Sequence, residues 1–102
     1  MRVVHCRRFP YDVYYIGRGP CPKTGKPSPW ANPFKLAWLH TSADREDVVR
    51  RYEQFVRQRP DLIARLSELA GKTLGCWCEE GKICHGHVLI RLVEEFVLRK
   101  VA

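Results

Sequence analysis

Lys72-Thr73-Leu74-Gly75-Cys76-Trp77-Cys78, then Glu79-Glu80-Gly81-Lys82-Ile83, then Cys84-His85-Gly86-His87, is the stretch on which the fold turns. The segment Lys72 to Cys78 follows Gly71 and is short and largely apolar, which reads as a buried strand. Side chains alternate faces along a strand, so Cys76 and Cys78 are expected on one side and Trp77 on the other, in the core. The loop Glu79 to Ile83 brings Cys84 and His85 back to the same strand end. A last helix is expected there, from about Cys84 to Arg99, with Val88, Leu89, Leu92, Val93, Phe96 and Val97 as a broad apolar face. Three of the five cysteines and two of the four histidines are thereby gathered into one knot of thiols and imidazoles.

Working outward, the segment before this strand is helical. Val48, Val49, Tyr52, Phe55 and Val56 recur at spacings of three and four, with arginines on the opposite face and Thr41 or Ser42 as the cap. Trp38 is expected to pack on this helix. Pro60 suits the first turn of a second helix with the stripe Leu62, Ile63, Leu66 and Leu69, and Gly71 is placed to end it. Nearer the amino end, Arg2 to Cys6 and Asp12 to Ile16 read as two short strands or one interrupted strand. The prolines and glycines between Gly17 and Pro33 exclude a helix or central strand there, leaving a long loop of the kind that carries function. The order strand, loop, helix, helix, strand, helix predicts a single α/β domain over residues 1–102: a small parallel or mixed sheet flanked by helices, Rossmann-like, in two or three layers. Ligands of such sheets bind beyond the carboxyl ends of the strands, where Gly17–Phe34 and Cys76–His87 are both expected.

At 102 residues the chain has room for one core only. No apolar run approaches the roughly 20 residues of a membrane span, and the start lacks the apolar segment of a secretory signal, so a cytoplasmic protein without a membrane partner is expected. An odd number of clustered cysteines then argues for thiols that do chemistry or bind metal, against a disulfide framework. The net charge of +7 is concentrated: residues 1–35 hold seven Lys/Arg against Asp12, whereas the rest is nearly balanced. A basic segment interleaved with Tyr11, Tyr14, Tyr15 and Trp30 suits phosphate-bearing partners through ion pairing and stacking.

Tyr15-Ile16-Gly17-Arg18, Trp30-Ala31-Asn32-Pro33-Phe34, Glu68-Leu69-Ala70-Gly71-Lys72, Leu74-Gly75-Cys76-Trp77-Cys78 and Cys84-His85-Gly86 together resemble a family of small phage and bacterial proteins, domain of unknown function 4326. The resemblance covers nearly the whole chain. More distantly, a strand ending in cysteine before a helix that opens Cys-His is similar to another α/β family, domain of unknown function 488. The resemblance implies a shared α/β fold and a shared site built from Arg18, Trp30, Asn32, Cys76, Cys78, Cys84 and His85, without supplying an activity. This chain departs from the family pattern in a longer Arg18–Trp30 segment carrying Cys21, Lys23 and Lys26, and in having His87 where an acid is expected.

The cluster supports several chemistries. Cys76, Cys78, Cys84 and either His85 or His87 are four ligands of the kinds that hold zinc or an iron cluster, although C-x-C is not the usual zinc knuckle. Cys84 at a helix amino end is a candidate nucleophile, its thiolate favoured by free N–H groups and the helix dipole. His85 is a candidate general acid or base; side chains of adjacent helical residues diverge, so it is expected to point to the loop bearing Arg18 and Asn32. The bland alternative is that the cysteines simply pack beneath the last helix. In the other wall, Arg18 is expected to hold phosphate, Trp30 to stack on the ligand or wall the pocket, and Asn32, kept extended by Pro33, to orient it. The expected function is binding of a nucleotide or nucleic acid between the two segments, with transfer or hydrolysis at Cys84 and His85. The alternative is a non-catalytic, zinc-stabilised module that binds nucleic acid or a host protein through its basic amino-terminal third. Oligomeric state is left open.

Overall fold

Three short parallel strands form the sheet, in the computed structural model that describes residues 1–37, 39–78 and 82–98. They are β1 (Arg2–His5), β2 (Tyr14–Tyr15) and β3 (Thr73–Cys76), in the spatial order β1-β3-β2. Val3 pairs with Leu74 and His5 with Cys76 on one side; Tyr14 pairs with Leu74 and Tyr15 with Gly75 on the other. All three carboxyl ends therefore lie at one edge. The second strand is shorter than the apolar run Asp12–Ile16 predicts, and β3 ends at Cys76 instead of Cys78.

The helices are α1 (Ser42–Arg57), α2 (Pro60–Arg65), which continues as a 3-10 turn over Leu66–Leu69, and α3 (His85–Val93), which continues as a π-helical turn over Glu94–Leu98. Thr41 caps α1, its hydroxyl accepting from Asp44 N–H at 3.2 Å while the Asp44 carboxylate accepts from Thr41 N–H at 2.9 Å. This reciprocal box satisfies two donors that a helix start leaves open. Gly71, at φ +75°, takes the left-handed conformation that turns the chain into β3. Trp38, the Arg99 end of the last helix and residues 79–81 of the loop lie outside the described residues.

One face of the sheet carries the main core. Leu74 and Cys76 join Ile16, Trp30, Tyr52, Val56, Leu66, Leu69, Val88, Leu89, Leu92 and Val93 in a single buried cluster. The helix α3 packs on β1 and β3, and α1 packs on α3. Gly86 permits this approach: a β-carbon there would lie 2.6 Å from Val3 Cγ2 and 3.0 Å from Ile16 Cδ1. The opposite face is covered by irregular chain, and a β-carbon on Gly75 would meet Val13 at 2.5 Å. The protein is thus a small α/β domain whose helical amino end, bearing Cys84 and His85, is pressed against the carboxyl ends of the strands.

Candidate functional site

Parallel pairing sets the site. Ile16 N–H donates to Gly75 O at 2.9 Å, which continues the β2–β3 pairing by one residue and sends Gly17 and Arg18 past the same edge as Trp77 and Cys78. The two segments line one pocket of about 340 Å³. Gly17, Arg18, Asn32 and Phe34 form one wall; Trp77, Cys78, Cys84 and His85 form another; Arg45, Val48 and Val49 of α1 close it. The convergence expected from strand direction is present, and it includes a cation that the sequence pattern hides. Arg45 sits within an arginine-rich helix that reads as solvated on that face, yet it lines this pocket and donates to Ile83 O at 3.3 Å.

The loop wall is built differently from expectation. Arg18 donates from Nε to Asn32 O at 3.0 Å and from Nη2 to Phe34 O at 2.8 Å, so part of its guanidinium holds the loop closed and only the remaining donors are available to a ligand. Asn32 Oδ1 accepts from Phe34 N–H at 2.9 Å, an Asx-type turn that fixes the amide; its NH₂ group has no hydrogen-bond partner among the described residues. Trp30 neither stacks in the pocket nor lines it. It is fully buried in the main core, with its carbonyl accepting from Tyr52 Oη at 2.7 Å and its indole N–H unpaired among the described residues.

The tryptophan at the pocket is Trp77, 40% exposed, in place of the core position that strand alternation predicts. Alternation fails because β3 stops at Cys76. Beyond it the indole is held by its own hydrogen bond, Trp77 Nε1 to Tyr15 Oη at 2.7 Å, and Tyr15 in turn donates to Arg18 O at 2.7 Å. Glycine is needed beside this pair, since a β-carbon at Gly17 would lie 2.7 Å from the Tyr15 ring and 2.9 Å from the indole.

The three thiols Cys76, Cys78 and Cys84 have sulfurs within 4.8 Å of one another, and all three are free. Cys76 is sealed in the core, Cys84 nearly so, and Cys78 is half-buried on the pocket wall. Their electrostatics differ accordingly. Hydrogen bonds donated by the Cys76 and Cys84 thiols, with help from the Arg45 charge, pull Cys78 well below the ordinary thiol range against the opposing effect of burial. Cys76 is pushed up by donating to Cys78 and Cys84 and by burial. Cys84 accepts from Cys76, which favours its thiolate, but its own bond to Cys78 and its burial outweigh this and push it up to about 12. The arrangement favours one thiolate, on Cys78, held by two thiols. It is thus Cys78, and not Cys84 at the helix amino end, whose thiolate the surroundings favour.

Cys84 is the residue before the first helical one, with extended backbone (φ −145°, ψ 157°). For that reason Cys84 and His85 do not diverge as two helical neighbours do: Cys84 Sγ lies 3.6 Å from His85 Nδ1. The other ring nitrogen reaches the opposite segment, with His85 Nε2 2.8 Å from Ile16 O. A carbonyl accepts only, so Nε2 carries the proton and Nδ1 presents its lone pair to Cys84. Burial, only partly opposed by the Ile16 carbonyl, lowers the pKa of His85 and keeps the ring neutral. Tyr52 packs against it in a T-shaped contact at 4.9 Å between ring centroids. His87 has a helix-capping role, its Nδ1 accepting from Cys84 N–H at 3.1 Å, the task an acid performs at this helix position. As a metal centre, the four-ligand set expected from the sequence reduces to the three sulfurs, because His85 and His87 stand outside that compact group.

The model of the family described as Domain of unknown function (DUF4326) matches residues 2–95. The chain is also similar to an uncharacterised protein of Acanthamoeba polyphaga mimivirus, with 37% identity over 91 residues, and the match spans 79% of this chain but 65% of that relative. No solved structure matches it.

Proposed function

The chain belongs to the domain of unknown function 4326 family, and from the geometry of this member's pocket we propose that it binds a nucleotide and carries out transfer or hydrolysis on it with a cysteine nucleophile. One observation carries this reading: two arginines, an unpaired amide, an exposed indole and a group of three thiols with a neutral imidazole all line or adjoin the same cavity of about 340 Å³. That size is at the lower end of the range of small-ligand sites, about 300–1,000 Å³, and suits a mononucleotide better than a duplex. Arg45 and the remaining donors of Arg18 bind phosphate, the Asn32 NH₂ group donates to a base acceptor, and Trp77 offers a stacking face. Cys78 attacks the electrophilic centre; Cys84 and His85 supply and receive the proton.

The test is a thermal-shift series with nucleoside mono-, di- and triphosphates and short oligonucleotides. A ligand at a hundred times its Kd stabilises the folded form by about 2.7 kcal/mol. Loss of a charge-assisted hydrogen bond costs about 1.5–3 kcal/mol, so Arg45→Ala should weaken binding by roughly tenfold or more. If no nucleotide shifts the melting temperature, or Arg45→Ala and Asn32→Ala bind as the parent does, the reading fails.

The proximity of the three sulfurs favours a second reading, in which Cys76, Cys78 and Cys84 hold zinc and the protein is a non-catalytic module that binds nucleic acid or a host protein through its basic amino-terminal third. In the fold Lys23 donates to Phe9 O and Tyr11 O, and Arg2 stacks over Phe9, so two of those cations also organise that segment. Stoichiometric zinc, with the three thiols protected from alkylation until a chelator is added, would select this reading.

A further inference from the structure

Apart from any bound ligand, the sulfur cluster has the parts of a redox couple. A two-step thiol oxidation needs a first thiol that an oxidant can reach, a second within reach of the first, and a base beside the second. Cys78 is the accessible sulfur, half-buried on the wall of an open pocket, whereas Cys76 is fully buried in the core. Cys84 lies within 4.8 Å of Cys78, and His85 Nδ1 lies 3.6 Å from the Cys84 sulfur. The ring is oriented by Ile16 O, so that its free lone pair faces the second thiol. Val48, Val49 and Phe34 give the cavity an apolar side.

We propose that Cys78 and Cys84 form a dithiol couple that reduces hydroperoxides, with His85 as the proton carrier between them. In the first step the Cys78 thiolate attacks the terminal oxygen of the peroxide: an S–O bond forms, the O–O bond breaks, and the leaving alkoxide or hydroxide takes from solvent the proton that the thiolate had released, departing as alcohol or water. In the second, Cys84 gives its proton to His85 Nδ1 and its sulfur attacks the sulfenic sulfur of Cys78. An S–S bond forms, the S–O bond breaks, and the departing hydroxide takes the proton from His85 as water. Two thiols are oxidised to one disulfide and one peroxide is reduced. A dithiol reductant restores the couple by exchange. Cys76 takes no part in bond making; it packs 3.1 Å from Cys84 as a hydrogen-bond partner.

The experiment treats the reduced, chelator-washed full chain with one equivalent of hydrogen peroxide, quenches with a maleimide, and maps the products by mass spectrometry. Trypsin cuts after Lys72, Lys82 and Arg91, which places Cys76 and Cys78 on one peptide and Cys84 on the next. Expected are loss of two hydrogens from the intact protein, a cross-link assigned to Cys78 and Cys84, and full reversal by dithiothreitol. In Cys84→Ser, a dimedone adduct should collect on Cys78. In His85→Gln, the sulfenic acid should form at the parent rate but convert to disulfide more slowly, which a merely structural role of the imidazole would not produce. Cys76→Ser should retain the cross-link, and each variant is compared only after its circular dichroism matches the parent. Peroxide consumption by Cys78→Ser at the parent rate would overturn the proposal. So would a disulfide confined to other cysteines, or thiols that stay unreactive because a metal survives the chelator.

Discussion

Replacing Gly86 by alanine should destabilise this protein, although the same change in an ordinary helix stabilises. The favourable part is small: alanine exceeds glycine in helix propensity by about 0.8–1 kcal/mol in a helix interior, and by less in the first turn where Gly86 lies. Against it stands the new methyl, which would be placed 2.6 Å from Val3 Cγ2 and 3.0 Å from Val3 Cγ1 and Ile16 Cδ1. Valine on a strand has little χ1 freedom, and Ile16 is fully buried, so neither can simply swing away. Overpacking of this kind costs about 1–3 kcal/mol, and with two neighbours obstructed the upper half applies, about 2–3 kcal/mol. The net loss is about 1–2 kcal/mol, equivalent to a melting temperature lower by roughly 5–15 °C for a domain of this size. Urea denaturation followed by circular dichroism reads it directly as a shift in midpoint at constant slope. Val3→Ala opens the space, so the double variant should be more stable than the two single losses predict, with a coupling above about 1 kcal/mol. A Gly86→Ala protein as stable as the parent, or a coupling near zero, would refute the close seating of α3 on β1 and Ile16, and with it the placement of Cys84 and His85 at the strand ends.

Other outcomes follow from the same geometry. Tyr52→Phe removes the only hydrogen bond to the buried Trp30 carbonyl that the described residues provide and should cost about 1–3 kcal/mol by chemical denaturation, with no change in thiol reactivity. Burial lowers the folded-state pKa of His85, so between that value and about 6.5 the unfolded chain binds the extra proton; its contribution is complete above about pH 6.5 and is lost as pH falls below it. Urea midpoints at pH 5 and pH 7.5 should therefore differ less in His85→Gln than in the parent. Iodoacetamide at neutral pH should label Cys78 before Cys76 and Cys84, and Arg45→Ala should slow that labelling, both read by peptide mapping.

Much of the architecture was legible from local pattern. The three-and-four spacing of Val49, Tyr52 and Val56, the proline opening α2 and the left-handed Gly71 are features of neighbouring residues, and the structure follows them. The gathering of Cys76, Cys78 and Cys84 was legible too, because a strand, a short loop and a helix start leave little freedom. Trp30 and Trp77 were not. Trp30 lies in a loop and reads as available, but Tyr52 of α1 anchors its carbonyl and the core closes over it. Trp77 lies in an apparent strand and reads as core, but it falls one residue past the last strand pair and bonds to Tyr15 at the surface. Arg45 was hidden for a related reason: helical periodicity sorts apolar from polar faces, and says nothing of which polar residues a distant loop will fold against.

From the sequence alone come the α/β class, the helices and strands, and the meeting of the Gly17–Phe34 loop with the sulfur-rich turn at one sheet edge. These follow from chain direction and from interactions between residues close along the chain. Only the tertiary structure decided which sulfur and which indole face the cavity, that part of Arg18 holds the loop shut, and that His85 spans from Cys84 to the Ile16 carbonyl. Exposure, proton affinity and hydrogen-bond partnership are set by what packs around a side chain, and here those neighbours come from segments as far as 69 residues away.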